Sequence, residues 1–168
     1  MAPDDPVQSG DALPERDETP AQRLDRNLSE MLQELRVALP GVQVLFAFLL
    51  TVPFAQGFTS LTQFERDLYL VVLLLTALAS ALLMAPTAYH RVLFRRGYKP
   101  QILFFANRAA MTGLGVLALA MTGAILLIAH VIFGEAASIV VAICSGIVFA
   151  LLWYLLPWAR GRGSEPDF

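Results

Sequence analysis

Residues 109–156 read AAMTGLGVLALAMTGAILLIAHVIF, GE, AASIVVAICSGIVFALLWYLL: two apolar runs separated only by Gly134 and Glu135. Each run has the ~20 residues that a helix needs to cross a hydrocarbon core of ~30 Å. Neither run contains Asp, Glu, Lys or Arg, and the first contains only His130 near its end. Because a two-residue connection leaves the runs side by side, the sequence predicts an antiparallel hairpin of membrane-spanning helices.

Two further apolar runs precede this hairpin, at residues 40–58 and 68–85, which gives four predicted spans: about 40–58, 68–85, 109–133 and 136–156. Of the 168 residues, 57% are hydrophobic and 15% are charged, and the mean hydropathy is +0.60. A soluble domain of this size keeps too much of its chain at the surface to hide so many apolar side chains. The predicted fold is therefore all-α, an integral membrane four-helix bundle over residues 40–157.

The segments outside the spans are polar. Residues 1–18 are acidic and contain proline, and they predict a disordered tail rather than a signal peptide. Thr19, Pro20 and Gln22 form the pattern of a capping box with proline at the first helical position. They predict a cytoplasmic amphipathic helix over 19–39 that stops at Pro40 and Gly41, because proline disfavours a helix interior. Residues 158–168 are predicted to be a short C-terminal tail.

Lys and Arg are concentrated on one side of the predicted spans. Eleven of the 12 lie before the first span, in the 86–108 loop or in the C-terminal tail, whereas the connectors 59–67 and 134–135 hold only Arg66. Short loops rich in Lys and Arg remain on the cytoplasmic side of a membrane. We therefore expect a multi-pass protein of the bacterial inner membrane with both termini in the cytoplasm.

Small residues recur at four-residue spacing along three of the spans. Helices in lipid associate through such residues, because the small side chains allow close approach. The third span offers Ala109, Gly113, Ala120 and Ala124. The predicted helix-packing residues of spans two and four are Ala77, Ala81, Ala85, Ser138, Ala142, Gly146 and Ala150. A homo-oligomer interface is the alternative interpretation. Pro53 removes a donor and frees the carbonyl of Leu49, so a kink is expected there.

Charged side chains gather at the cytoplasmic ends of the spans. This inner-mouth cluster consists of Glu30, Glu34, Arg36, His90, Arg91, Arg95, Arg96 and Arg108. These residues have three possible roles. They set the orientation alone, or they bind anionic lipid headgroups at about 1 kcal/mol per basic residue, or the basic residues pair with Glu30 and Glu34 and clamp the amphipathic helix against the bundle.

At the opposite end, His130 and Glu135 form a candidate outer-face proton group, because histidine titrates near neutral pH. The simpler interpretation is an interfacial histidine at the wet end of a helix. Cys144, the one cysteine, is predicted to be an inert buried packing residue. The sequence contains no hydrolase or phosphate-binding motif and no Cys or His pair at metal-ligand spacing. We therefore expect no enzyme activity, no cofactor, no metal and no nucleic-acid partner.

Two segments, ELRVALPGVQVLFAFLL at 34–50 and HRVLF at 90–94, resemble a bacterial family of small four-span membrane proteins of unknown function. The family is typical of actinobacteria, and the resemblance covers roughly residues 19–157. Some of its members carry the label of sodium:proton antiporter. The resemblance implies a membrane location and a four-span architecture.

Two functional hypotheses follow. The first is a non-enzymatic structural or accessory membrane module whose partner is the lipid bilayer. The second is a small oligomeric ion- or proton-coupled transporter, or a subunit of one. Intramembrane chemistry usually depends on ionisable groups at depth, and the centre of every predicted span lacks Asp, Glu, Lys and Arg. Hydroxyl side chains such as Thr76 and Ser80 can bond back to their own helix. The first hypothesis is therefore favoured.

Overall fold

The computed structural model describes residues 19–93 and 99–161, and this part of the chain is helical almost throughout. The helices are α1 (Pro20–Thr51), α2 (Gln63–Leu93), α3 (Lys99–Phe133), α4 (Glu135–Ala150) and α5 (Leu156–Gly161). Two 3₁₀ segments, Val52–Phe54 and Gln56–Ser60, join α1 to α2, and π-helical Leu151–Leu155 joins α4 to α5. The predicted tail at 1–18 and residues 162–168 of the predicted C-terminal tail lie outside the described residues.

Four stretches of these helices are long and apolar enough to cross a membrane: Ser29–Phe54, Gln63–Tyr89, Phe104–Phe133 and Glu135–Leu155. The all-α fold with four packed apolar helices is confirmed. α3 and α4 form the predicted hairpin, with Gly134 alone between them. Its φ of 83° lies in the left-handed region that glycine adopts at little cost.

The prediction that the amphipathic helix ends at Pro40 and Gly41 is wrong, because α1 continues through both residues to Thr51. Its buried side chains, Leu35, Val42 and Leu49, recur every seven residues and so lie along one face on both sides of the proline. Packing of this single apolar face stabilises the helix across the missing hydrogen bond. The predicted start is confirmed, since Thr19 and Gln22 form a reciprocal capping box.

Pro53 ends α1 instead of kinking it. The helix stops at Thr51, and Val52–Phe54 continues as a 3₁₀ turn. The carbonyl of Leu49, which Pro53 cannot bond, accepts the N–H of Val52 and also the phenolic O–H of Tyr69 at 2.8 Å. This cross-helix bond is the second hydrogen bond that the carbonyl accepts, and it joins α1 to α2.

Most of the predicted 86–108 loop is helical. α2 continues past the predicted end at residue 85 to Leu93, and α3 begins at Lys99 rather than near 109. These extensions are held by packing, because the rings of Tyr89 and Phe105 lie 4.5 Å apart and Ala106 is fully buried. Only residues 94–98, which lie outside the described residues, separate the two helices.

α2 and α3 form the central pair of the bundle and pack along their length. Glycine allows their close approach at two places: a Cβ on Gly113 would lie 3.0 Å from the Leu83 side chain, and a Cβ on Gly123 would lie 2.7 Å from that of Val72. α1 packs against both α2 and α3, and α4 packs mainly against α3. One face of α3 between α1 and α4 therefore remains partly uncovered.

The small residues divide between buried and exposed positions. Ala109, Gly113 and Ala120 are buried, and Ser138 is fully buried against α3. Ala142 and Gly146 are half-buried, with Gly146 facing Thr122, and Ala150 is exposed. On α2 the buried face carries Val72, Thr76, Ala79, Leu83 and Pro86. Ala81 is exposed there, and Ala77 and Ala85 are half-buried, so these three residues border the buried face of α2.

Candidate functional site

A groove runs along the uncovered face of α3. Its main cavity has a volume of about 490 Å³ and opens to the side of the bundle. Every lining residue is apolar or glycine: Ala38, Gly41, Val42, Leu45, Leu114, Leu117, Met121, Ala124, Ile125, Ile128 and Trp153. We call this the lateral groove. α1 forms one wall, α3 forms the floor, and Trp153 projects from beyond α4 as the other wall.

The wall on α1 contains the residues that the sequence pattern marks as a helix end. Gly41 lines the groove, and a Cβ built on it would meet no atom within 4 Å. The absence of a side chain at this position therefore leaves open space beside Val42 and Leu45. Since α1 is continuous through Pro40, this space lies within the apolar stretch Ser29–Phe54.

The opposite wall is positioned by a π-helical turn. Leu151–Leu155 is π-helical, a form that is rare and occurs often at functional sites. Within this turn Trp153 lines the groove, and Tyr154 donates its phenolic O–H to the carbonyl of Met111 at 2.7 Å. Gly115 makes the contact possible, because a Cβ there would lie 2.6 Å from the tyrosine oxygen. The tyrosine thus fixes the tryptophan wall to α3.

A second cavity of about 250 Å³ continues the groove toward the end of α3. It shares Ala124 and Ile128 with the main cavity, and the Tyr69 that binds the Leu49 carbonyl also lines it. Both cavities together follow α3 from Leu114 to Ile132, or 18 residues at ~1.5 Å each, which is about 27 Å. The groove is therefore nearly as long as a hydrocarbon core is thick.

A polar cluster lies where α2 begins. The Glu65 side chain is 8% exposed, and its carboxylate accepts the backbone N–H of Thr62 at 2.7 Å and the Thr62 hydroxyl at 2.9 Å. The Thr62 hydroxyl in turn accepts the backbone N–H of Glu65, so the pair forms a capping box at the start of α2. His130 lies close enough for electrostatic interaction with this carboxylate. Glu65 was not among the predicted site residues.

The predicted outer pair, His130 and Glu135, lies in the last turn of α3 and the first turn of α4, and its role as a proton group stays a prediction. The Nδ1 atom of His130 lies 3.4 Å from the hydroxyl of Ser138, and its ring packs edge-on against Phe64 at 5.4 Å. Glu135 is exposed at the first turn of α4, where its backbone carbonyl accepts the Ser138 hydroxyl at 2.7 Å. The histidine thus lies beside Ser138 and Phe64.

At the other end of the bundle, the structure places part of the inner-mouth cluster. Glu30, Glu34, Arg36 and Arg108 are exposed, and Glu30 lies 3.7 Å from Arg26 on its own helix. The side chains of His90 and Arg91, and all of Arg95 and Arg96, lie outside the described residues. The clamp between glutamates and arginines stays a prediction. This half of α1 does pack against the bundle, since Met31 and Leu32 contact the Ala106 and Tyr89 cluster.

Polar side chains within the spans are largely satisfied by their own helices. Thr51, Thr76, Ser80 and Ser145 each donate to a carbonyl three or four residues earlier. Cys144 is exposed on α4, so the prediction of a buried packing cysteine is wrong. Among the described residues, no group of three or more His, Cys, Asp or Glu side chains could hold a metal ion.

The comparisons with known proteins add a family. Residues 17–157 match the model of the family of unknown function DUF6328. The chain belongs to DUF6328. The match covers α1 through α4 and the π-helical turn, and so includes every residue of the lateral groove. No curated protein and no solved structure shows significant similarity to this DUF6328 chain.

The lateral groove could not be predicted from the sequence, for a physical reason. An apolar side chain has the same hydropathy whether it fills a helix interface or lines an open cavity. Two signals are nevertheless present in the chain. Gly41 follows a proline inside an apolar run, and Tyr154 continues the four-residue series that begins at Ser138. For Glu65 the signal is Thr62, because threonine three residues before glutamate is a capping box.

Proposed function

We propose that this DUF6328 protein is a non-enzymatic accessory module of the bacterial inner membrane that acts by holding an apolar group in the lateral groove. The lateral opening of this groove carries the proposal. A groove without polar lining cannot orient a polar substrate or stabilise developing charge, but it contributes burial energy of about 25 cal/mol for each Å² of apolar surface covered. The bilayer is the partner that presents apolar groups from the side.

The orientation belongs to the proposal as well. The exposed Arg36 and Arg108 lie toward the ends of the bundle where α2 ends and α3 begins. Positive residues mark the cytoplasmic side, so both termini are cytoplasmic and the polar cluster at Glu65 and His130 faces outward. In this arrangement the groove extends through the apolar layer, with Trp153 nearer the inner side.

A second candidate is a small proton-coupled transporter of the sodium:proton antiporter kind, working as an oligomer or a subunit. The juxtaposition of Glu65 and His130 favours it, since a carboxylate and an imidazole are the groups that carry protons in such proteins. Against it, the carboxylate already accepts two hydrogen bonds from Thr62. The groove lining supplies no ionisable group that would continue a proton path from this cluster.

A flux measurement separates the two candidates. Purified protein in liposomes containing a pH-sensitive dye is challenged with an inward sodium or potassium gradient. The accessory role predicts the same dye signal as in protein-free liposomes, for the native chain and for Glu65→Gln and Glu34→Gln. A cation-driven signal that disappears in Glu65→Gln but persists in Asp67→Asn would establish transport and overturn the accessory role.

A further inference from the structure

The dimensions of the lateral groove identify what it can hold. The main cavity follows α3 from Leu114 to Ile128, 14 residues or about 21 Å at ~1.5 Å per residue. Its volume of about 490 Å³ is the space open to the centres of bound atoms, and over that length it corresponds to a mean cross-section of about 23 Å², or a width of roughly 5 Å for those centres. With about 3 Å added for the radii of the bound atoms, the groove is roughly 8 Å wide, which is narrower than an α-helix with its side chains at ~10 Å or more.

A single hydrocarbon chain does fit. Non-bonded carbon atoms approach to about 4 Å, so an extended chain fits along the floor of a channel of this width, between its two walls. The segments of the same chain that lie outside the described helices are poor alternatives. Residues 1–18 and 162–168 are rich in charged and polar residues, which lose hydration in an apolar groove.

The surroundings of the groove point to the source of such a chain. The opening faces sideways within four apolar helices, where the adjacent molecules are the lipids of the bilayer. Gly41 keeps the space open, and Tyr154 fixes Trp153 as the third side, so the chain meets protein on three sides rather than on one. We propose that the lateral groove binds one acyl chain of a membrane phospholipid. This inference rests on the proposed function and names the apolar group that it holds.

The two tryptophans of the protein provide the test. Trp153 lines the groove and is half-buried, whereas Trp158 is 57% exposed outside it. Two single-tryptophan variants, Trp158→Phe and Trp153→Phe, are reconstituted in phosphatidylcholine vesicles that contain increasing fractions of a chain-brominated phosphatidylcholine. Bromine quenches tryptophan on contact. A chain in the groove quenches Trp153, whereas Trp158 follows the apolar stretch that ends at Leu155 and serves as the reference outside the groove.

A variant that fills the groove tests whether the quenching of Trp153 comes from a chain inside it. Gly41→Leu adds a side chain whose Cβ would meet no atom within 4 Å, so the side chain begins in the open space of the groove. We expect it to lower the quenching of Trp153 at least twofold and to leave that of Trp158 unchanged. Ala47→Leu, at an exposed position on the same helix, should change neither. Ala124→Leu repeats the test from α3, so that the result does not depend on one variant folding.

The outcomes separate the inference from the proposed function. Quenching of Trp153 that neither Gly41→Leu nor Ala124→Leu lowers overturns the acyl-chain site. If in addition native mass spectrometry detects dimers that Gly41→Leu abolishes, the groove holds a second copy of the chain, and the accessory role stands without the lipid site. Cation-driven proton flux from the liposomes would overturn the accessory role even where Trp153 is quenched as expected.

Discussion

Two tyrosines link helices of this bundle, because each donates a hydrogen bond to a main-chain carbonyl of another helix. Tyr69 donates to the Leu49 carbonyl and Tyr154 to the Met111 carbonyl, at 2.8 Å and 2.7 Å. Such bonds between transmembrane helices contribute about 0.6 kcal/mol on average and up to ~1.7 kcal/mol. They also fix the depth of one helix against the next, because each joins one atom of a side chain to one point on a backbone.

The Tyr69 hydroxyl donates to the Leu49 carbonyl, to which Pro53 has no N–H to donate. This substitution of one donor for another gives a prediction. Tyr69→Phe should lower the free energy of unfolding by about 1 kcal/mol, because the Leu49 carbonyl loses a donor in an apolar environment. In a Pro53→Ala background, the new alanine can supply a helical N–H to that carbonyl, so the same change should cost less than half as much. SDS titration of the protein in mixed micelles measures all four corners of this cycle. Equal costs in both backgrounds would show that the two groups are independent.

The Tyr154 contact predicts that Gly115→Ala destabilises the native protein but stabilises a variant without the tyrosine hydroxyl. Gly115→Ala should lower the free energy of unfolding by about 1–2 kcal/mol, since the new Cβ would lie 2.6 Å from the tyrosine oxygen and displace it. In a Tyr154→Phe background the nearest ring atom is 3.6 Å away, an ordinary contact. There the higher helix propensity of alanine should stabilise the chain by up to about 1 kcal/mol. The same SDS titration checks both values, and destabilisation of equal size in both backgrounds contradicts this account.

Single residues show which features the sequence could predict and which it could not. The loss of a donor at Pro53 and the release of the Leu49 carbonyl could be predicted, because proline acts on its own backbone. The donor that bonds this carbonyl, Tyr69, could not be predicted, since it lies 20 residues away on another helix. A tyrosine near a span end is usually an interface anchor. The free carbonyl could therefore be predicted from the sequence, whereas its hydrogen-bond donor depends on how the helices pack.

At the scale of elements, α1 is the clearest case of packing overriding a local rule. Pro40 predicts a helix end, but Leu35, Val42 and Leu49 on both sides share one buried face, and the helix continues. The four spans could be predicted because hydropathy determines which segments enter an apolar layer. The helix ends could not, because α2 continues past residue 85 where Pro86 is buried and Tyr89 packs against Phe105.

A distance measurement checks the continuity of α1. Ser29 and Ala47 are exposed and lie 18 residues apart, or five turns, so spin labels at these positions point to the same side. In a Cys144→Ala background, we expect a pulsed electron resonance distance of about 27 Å from the helical rise. A helix broken at Pro40 with its first half turned flat along the headgroups would instead give about 20 Å. A Pro40→Ala variant, which removes the breaking residue, should reproduce the native distance.

The whole molecule is an asymmetric bundle. α2 and α3 form a closed central pair, whereas α1 and α4 lie on either side of an open face of α3. The number of helices and their antiparallel order could be predicted from four apolar runs and short connectors. The groove could not, because its existence depends on how far apart two helices stand, and no local pattern records that distance.

An even number of spans would place both ends of the chain on one side, and under the proposed orientation the distribution of Arg and Lys predicts that this side is the cytoplasm. In a Cys144→Ala background, single cysteines at Ser60 and Glu135 should react with a membrane-impermeant maleimide on intact bacterial cells, since these exposed residues lie in the α1–α2 connection and at the start of α4. Cysteines at Ser29 and Arg108, also exposed, should react at least tenfold less until the cells are lysed. The reverse pattern would invert the orientation, and labelling of all four on intact cells would indicate that the chain inserts both ways.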